Sequence, residues 1–356
     1  MFDLVQKTIV VVIFFVSSQH KTSNMESKNN GIIEIGEGWA CALQIPAIHC
    51  YHREKLVREL PVSLLTECVP FNHNVVKEGK KASGDPLSID GVPEPKSLIK
   101  AALLINSQLK KATQPANAYV ITAEADAPSL VIAVGGNSRH ESYDSELANM
   151  VATAEASQNL ACTGATPVAF FKFPASSDAS PHPTLGLVGL LPKEAPHVGL
   201  AFQKKGEMIY LLGRSVQDVA SSEYLYSVHH IHPSPAPWMN PQEQSRLQSV
   251  LSEAIRKNLL TSIHSITKGG IFTALLQSSI PNQLGFDITT DAEIREDAFL
   301  FGESLGRFIV STSEHNDVAF VDMMTKHKIP VTTLGHTTKG EIRVDDISYG
   351  FIRDFM

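Results

Sequence analysis

Ser262-Ile-His-Ser-Ile-Thr-Lys-Gly-Gly270 is the stretch on which the reading of this chain turns. A helix expected from Gln242 to Leu260 leads into it, and its twin glycine, Gly269-Gly270, opens the next helix, Gly270–Ser278. Glycines at a helix start let backbone N–H groups come close to an anion. A metal–nucleotide site at such a turn also needs hard oxygen ligands, and carboxylates are the usual source of them for Mg²⁺. This stretch offers Ser265 and Lys268 instead. The turn therefore has the shape of a phosphate loop without the acids of a metal site.

Downstream of the glycines, strands are expected at Phe286–Thr289, Phe308–Ser311, Val331–Leu334 and Glu341–Val344, the last two paired across Lys339-Gly340. Gly335 to Gly340 reads as hairpin turn chemistry rather than a nucleotide loop. A helix over Asn316–His327 is expected to turn Val318, Val321 and Met324 inward. Upstream, Met208–Leu212 reads as a strand between Gly206 and Gly213. His229, His230 and His232 precede Pro233, Pro235 and Pro237, which favours a solvated loop over a metal cluster.

Before Gly199 the pattern predicts strands at Tyr119–Thr122, Leu130–Val134, Pro167–Phe173 and Leu185–Leu191. Helices are predicted at 97–111, capped by Ser97, and at Ser145–Leu160, striped by Leu147, Met150, Val151 and Ala154. Glu155 and Asn159 continue the Leu147–Val151 line at i, i+4 spacing and so share a face. Trp39–Tyr51 is one strand-like run and Leu56–Leu60 a second, joined by the polar turn Arg53-Glu54-Lys55. Strands alternating with helices argue for an α/β or layered α+β fold. The expected divisions are an extension at 1–30, a unit at 31–77, a Gly- and Pro-bearing linker at 78–96, a subdomain at 97–198 and a second at 199–356.

The totals bound the function. The chain has 356 residues, 43% of them hydrophobic and 19% charged, which is a globular composition long enough for two domains. A net charge of −7 gives no basic excess for nucleic acid or anionic membranes. Cys41, Cys50, Cys68 and Cys162 show no paired spacing, so they read as reduced thiols of a cytoplasmic protein. The apolar run Ile9–Val16 is too short to span a bilayer. It reads as an extension ahead of Met25 in preference to a weak signal peptide.

Longer stretches carry a resemblance. Lys205-Gly-Glu-Met-Ile-Tyr-Leu-Leu-Gly213, Gly285-Phe-Asp-Ile-Thr-Thr-Asp291, Phe301-Gly-Glu-Ser-Leu-Gly-Arg307 and Leu334-Gly-His-Thr-Thr-Lys-Gly-Glu-Ile-Arg-Val-Asp345 resemble the last domain of phosphoribosylformylglycinamidine synthase. Ser138-Arg139, Asp144, Ala154-Glu-Ala-Ser-Gln-Asn159 and Cys162-Thr-Gly-Ala-Thr-Pro167 are similar to its second repeat, and Tyr51 to Cys68 to the close of its first. The resemblance implies a two-subdomain fold of the aminoimidazole ribonucleotide synthetase kind, with the N-terminal subdomain shortened after Phe173-Pro174. Such shortening is expected to leave apolar surface uncovered and to make the chain poorly stable or dependent on a partner.

The resemblance also implies an activity: an ATP-dependent C–N ligase of de novo purine biosynthesis. That enzyme joins formylglycinamide ribonucleotide and ammonia from glutamine to give the amidine. The implied cofactors are ATP/ADP and Mg²⁺. The implied partners are glutaminase and small accessory subunits or domains, or a chain supplying the first repeat. Residues matching the family's nucleotide surface are Glu155, Asn159, His264, Gly269, Gly270, Glu303 and Arg307, with Glu155 and Asn159 toward Mg²⁺. The residues alone allow blander readings: a structural His264, and an i, i+4 ion pair between Glu303 and Arg307. The family's loop carries acids at the positions of Ser265 and Lys268, and a glutamine at Leu305. A second functional reading follows, in which the chain is a degenerate, non-catalytic remnant that binds nucleotide or a partner subunit.

Overall fold

The computed structural model describes residues 32–44, 47–61, 89–109, 118–124, 127–136, 145–173, 184–231 and 234–356. The extension at 1–30, most of the expected linker, Cys68, Ser138, Arg139, Asp144 and His232 lie outside them.

The first sheet is an antiparallel meander of β1 (Ile32–Gly36), β2 (Trp39–Gln44), β3 (Ala47–His52) and β4 (Lys55–Pro61). The single strand expected over Trp39–Tyr51 is therefore a hairpin. The reason is a change of phase: Trp39 and Cys41 face the core on odd positions, Ile48 and Cys50 on even ones. A strand keeps one parity per face, so the chain must turn between them.

Helix α1 (Leu98–Leu109) begins where the Ser97 hydroxyl accepts the Lys100 N–H at 3.4 Å. Sequence placed it in the N-terminal subdomain, but its buried residues Ala101, Ala102, Ile105 and Leu109 pack in the core of the C-terminal one. Asn106 fixes it there by donating to the Phe355 carbonyl at 2.9 Å. The end of the expected linker is also docked. Ile89 and Val92 are buried, and Arg295 Nη1 donates to both of their carbonyls at 3.0 and 2.8 Å.

The second sheet contains β5 (Tyr119–Ile121), β6 (Ser129–Gly135), β7 (Thr166–Phe173) and β8 (Thr184–Leu191), antiparallel in the order β5-β6-β8-β7. Leu130, Ile132 and Val134 face the first sheet, while Val131 and Ala133 face helix α2 (Ser145–Ala161). Both faces are thus covered. Among the described residues of this half, Leu56, Val120 and Met150 are large apolar side chains left exposed. The stripe of α2 is rotated from expectation. Ala148, Val151, Ala152, Ala156 and Leu160 are buried, whereas Met150 is 51% exposed. Alanines face the sheet because the helix backbone lies directly on it: a Cβ at Gly135 would sit 2.1 Å from the Ala152 carbonyl oxygen.

The third sheet has seven strands in the order β10-β12-β9-β13-β11-β14-β15. They are β9 (Met208–Leu212), β10 (Ser262–Ser265), β11 (Gly285–Ile288), β12 (Phe308–Thr312), β13 (Val331–Thr338), β14 (Glu341–Val344) and β15 (Ile347–Phe351). Helices α3 (Pro241–Arg256) and α6 (Asp317–Lys326) cover the face that carries Tyr210, Leu212 and Phe308. Helices α1, α4 (Gly270–Ser279) and α5 (Glu296–Phe301) cover the face of Ile209, Leu211 and Ile309. This is a helix–sheet–helix sandwich, the layered fold class expected.

Two details differ from the sequence reading. Strands β13 and β14 do not form a hairpin pair, because β11 lies between them, antiparallel to β13 and parallel to β14. Gly335 is accordingly not a hairpin-turn residue. A Cβ there would sit 1.9 Å from the Asp287 carbonyl oxygen, so its bareness lets β11 approach. In α6 the inward residues are Phe320, Met323 and Met324, with Val318 70% exposed, since the helix turns Phe320 onto Tyr210 at 5.4 Å between ring centroids.

Gly135→Ala is expected to destabilise the chain by about 1–3 kcal/mol through overpacking against backbone that cannot rotate away. Urea unfolding measures this, with Gly91→Ala as control because a Cβ there meets nothing within 4 Å. Equal midpoints for the two variants would mean that α2 lifts freely from β6.

Candidate functional site

The stretch 262–270 divides into a strand and a turn. Ser262–Ser265 is β10, paired with β12, and Ile266–Gly269 reverses the chain into α4. Gly269 and Gly270 take φ of +78° and +70°, in the left-handed region that favours glycine. The start of α4 is jammed against the end of α5: a Cβ on Gly270 would lie 2.6 Å from the Leu300 carbonyl oxygen.

The N–H of Gly269 already has an anion. It donates to Glu303 Oε1 at 2.7 Å, and the same oxygen accepts the Glu223 N–H at 2.7 Å. Glu303 is 3% exposed, so a buried carboxylate of the chain sits against the glycine turn. Four residues on, Arg307 is 1% exposed and donates to the carbonyls of Ser304 at 3.0 Å and Gly302 at 2.8 Å. Burial brings its guanidinium down to about 10, against the charges of Asp218 and Glu303, which support protonation. Asp218 accepts the N–H groups of Trp238 at 2.6 Å and Ala220 at 2.9 Å, and burial raises its carboxyl. Helix α5 ends at Phe301, so Glu303 and Arg307 are not an i, i+4 pair on a helix surface. They belong to a buried charge cluster that shapes the turn from α5 to β12.

Helix α2 meets this cluster from the other side. Gln158, fully buried, donates to the Ile266 carbonyl at 3.2 Å and accepts the Gly306 N–H. Asn159 donates to the Val134 carbonyl at 2.9 Å and accepts the Ser265 hydroxyl. Glu155 accepts the Gly136 N–H at 2.9 Å. Gln244 of α3 completes the contact by donating to the Ala154 carbonyl at 2.8 Å. Glu155 and Asn159 therefore do share a face, which looks into protein. Gln158 and Asp218 carry comparable parts of the junction and were not singled out from sequence. Gln158 lies inside the quoted run at 154–159, whereas nothing local marks Asp218.

Among the described residues the donor set does not suit Mg²⁺. The cation wants six hard oxygens in near-octahedral array. Glu155 already holds an N–H on Oε2, and both ends of the Asn159 amide are committed. Among the described residues no three His, Cys, Asp or Glu side chains converge in a way that would hold a metal. Ser265 seals the place of an acid by bonding Asn159, and Lys268 is half-buried and engaged.

His264 is structural in its contacts. Its Nδ1 lies 2.7 Å from the Ser265 carbonyl oxygen and its Nε2 lies 2.8 Å from Gln277 Oε1. Burial lowers its pKa below the ordinary value. His229 stands edge-on to Tyr224 with 4.7 Å between centroids, half-buried, while His230 is exposed.

Glu303→Ala is expected to strand the Glu223 and Gly269 N–H groups in the interior, at a cost of about 2–4 kcal/mol. Glu303→Gln keeps an acceptor and should lose less, as urea unfolding will measure. A second expectation concerns pH. A histidine with a depressed folded pKa stays neutral in the native state while the unfolded chain takes up the proton. Stability contributed by His264 is thus complete above its unfolded pKa of about 6.5 and is lost as pH falls below it toward the folded pKa. His264→Gln should flatten the dependence of the unfolding midpoint between about pH 7 and pH 5. An unchanged slope would contradict the neutral, buried assignment.

Residues 204–347 match the family model described as AIR synthase related protein, C-terminal domain. The phosphoribosylformylglycinamidine synthase subunit PurL of Moorella thermoacetica is 24% identical over 262 residues, covering 62% of this chain and 36% of that protein. The PurL of Petrotoga mobilis is 32% identical over 187 residues, covering 52% and 25%. In shape, Thermotoga maritima PurL complexed with FGAR superposes with a TM-score of 0.60 at 12% identity, over 74% of this chain and 54% of that one. The chain spans between about a quarter and a half of the curated relatives' length. Residues 204–347 of the C-terminal sandwich thus match the AIR synthase related C-terminal domain, and the chain is similar to PurL proteins in sequence and in fold.

Proposed function

We propose that this chain serves a phosphoribosylformylglycinamidine synthase-type reaction as a scaffolding portion, without doing the metal-dependent chemistry itself. The overall reaction is ATP-dependent: the formamide oxygen of formylglycinamide ribonucleotide is activated by phosphoryl transfer and ammonia from glutamine displaces it, giving the amidine. Such phosphoryl transfer rests on positioning and on cations that neutralise phosphate charge. The observation that carries the scaffolding reading is the Glu303 carboxylate on the Gly269 N–H, because it fills with protein the place where a phosphate would bind. A carboxylate beside that N–H repels a second anion. The remaining groups at the junction hold α2, the α4 turn and the α5–β12 turn in register.

Support for the reaction itself comes from relatives. The proteins similar in sequence are PurL subunits, and similar folds occur in Thermotoga maritima PurL complexed with FGAR, with ATP and with ADP. A Thermotoga maritima structure of PurLQS, with a TM-score of 0.50, suggests partners of the same kind for this chain: glutaminase and a small accessory subunit. Among the described residues no helix is long and apolar enough to cross a membrane.

Purified chain supplied with formylglycinamide ribonucleotide, ATP, Mg²⁺ and ammonium should form no amidine. Calorimetry should record no Mg-ATP binding that Glu155→Ala weakens. Co-purification with the glutaminase and accessory subunits should succeed. Turnover by the chain alone would overturn the scaffolding role, and failure to join any synthase component would overturn the place in that reaction.

A further inference from the structure

Two cysteines outside the junction face each other. Cys41 of β2 and Cys50 of β3 are direct cross-strand partners in the hairpin of the first sheet. Opposed residues in antiparallel strands have Cα atoms about 4.5–5.5 Å apart, inside the window of about 4.4–6.8 Å that a disulfide spans. Both thiols are free, and both side chains point into the same core, between Trp39, Ile48 and Leu60 on their own sheet and Ile132 and Val134 on the next. Cys41 is 7% exposed and Cys50 is 0%. Their sulfurs hydrogen-bond each other.

We propose that Cys41 and Cys50 form an oxidation-responsive pair that closes to an intrachain disulfide when the folded protein meets hydrogen peroxide. Thiol reactivity resides in the thiolate. The shared hydrogen bond raises the Cys41 thiol and lowers that of Cys50, so the proton rests on Cys41 and Cys50 is the nucleophile. Cys50 sulfur attacks a peroxide oxygen, the O–O bond breaks, and a sulfenic acid and one water result. Cys41 sulfur then attacks Cys50 sulfur, the S–O bond breaks and a second water leaves. Two thiols have lost two electrons and two protons, and one peroxide has become two waters. Cys162, the other described cysteine, is buried in a different core, where burial raises its thiol and Ser265 hydrogen-bonds it. It serves as an internal control, and Met150 and Met356, 51% and 56% exposed, report the oxidant dose.

The folded wild-type chain is exposed to graded peroxide, quenched with catalase, unfolded in the presence of iodoacetamide and digested for mass spectrometry. The expected result is loss of two hydrogens from the peptide carrying Cys41 and Cys50, recovery of both thiols after reduction, and alkylated Cys162 throughout. Cys41→Ser should abolish the two-hydrogen loss. Three results would each overturn the proposal: both thiols still alkylated at a dose that converts Met150 and Met356 to sulfoxides, a disulfide that forms only in urea, or pairing of either residue with another cysteine.

Discussion

One helix face governs the arrangement. Glu155 and Gln158 of α2 put two polar side chains into the interior, where an unpaired polar group costs about 1–3 kcal/mol, and Asn159 follows half-buried on the same helix. Each is satisfied by backbone or side chain of a different element: Gly136 after β6, Ile266 and Ser265 at the β10–α4 turn, and Gly306 before β12. These bonds can be made together only if both sheets and two turns hold fixed positions around the helix. The same helix lies on β6 through alanines at the bare backbone of Gly135, so it has no slack on that side. The two halves of the molecule are thus related by directional bonds as well as by apolar contact.

The electrostatics of the junction follow from this enclosure. Arg307 and Glu303 are taken out of water together with Asp218 half-buried beside them, and burial of unlike charges is tolerable only where hydrogen bonds replace the lost solvent. Glu303 gains two N–H donors, Asp218 gains two, and Arg307 gives to two carbonyls. A turn built to receive a negative group has been completed from within. Its glycines are still required, because they serve the close packing of α4 on α5 as much as any ligand.

How much of this was legible in the sequence depended on the range of the interaction. Strands such as Met208–Leu212 and the helix opening at Gly270 follow from local pattern, and the structure returns them nearly unchanged. Errors arose where distant partners decide. The hairpin of β2 and β3 is written in the parity change between Cys41 and Ile48, a local signal that was available. The insertion of β11 between β13 and β14 has no local signal, since Lys339-Gly340 makes a good turn either way. In the candidate site, glycines and a shared Glu155–Asn159 face were readable. That the face looks inward was not, because its hydrogen-bond partners lie 19 to 148 positions away in the chain.

The placement of β13 bears on biosynthesis. It occupies the middle of the seven-stranded sheet, between β9 and β11, yet it is made of residues 331–338 near the end of the chain. During translation β10, β12 and β9 can pair before β13 is made, and until it follows β9 presents an open edge and β11 has no neighbour to pair with. Open edges invite pairing with other chains. The nascent molecule passes through a late interval of high aggregation risk, during which a holding chaperone would matter more than for a protein whose central strands are made first.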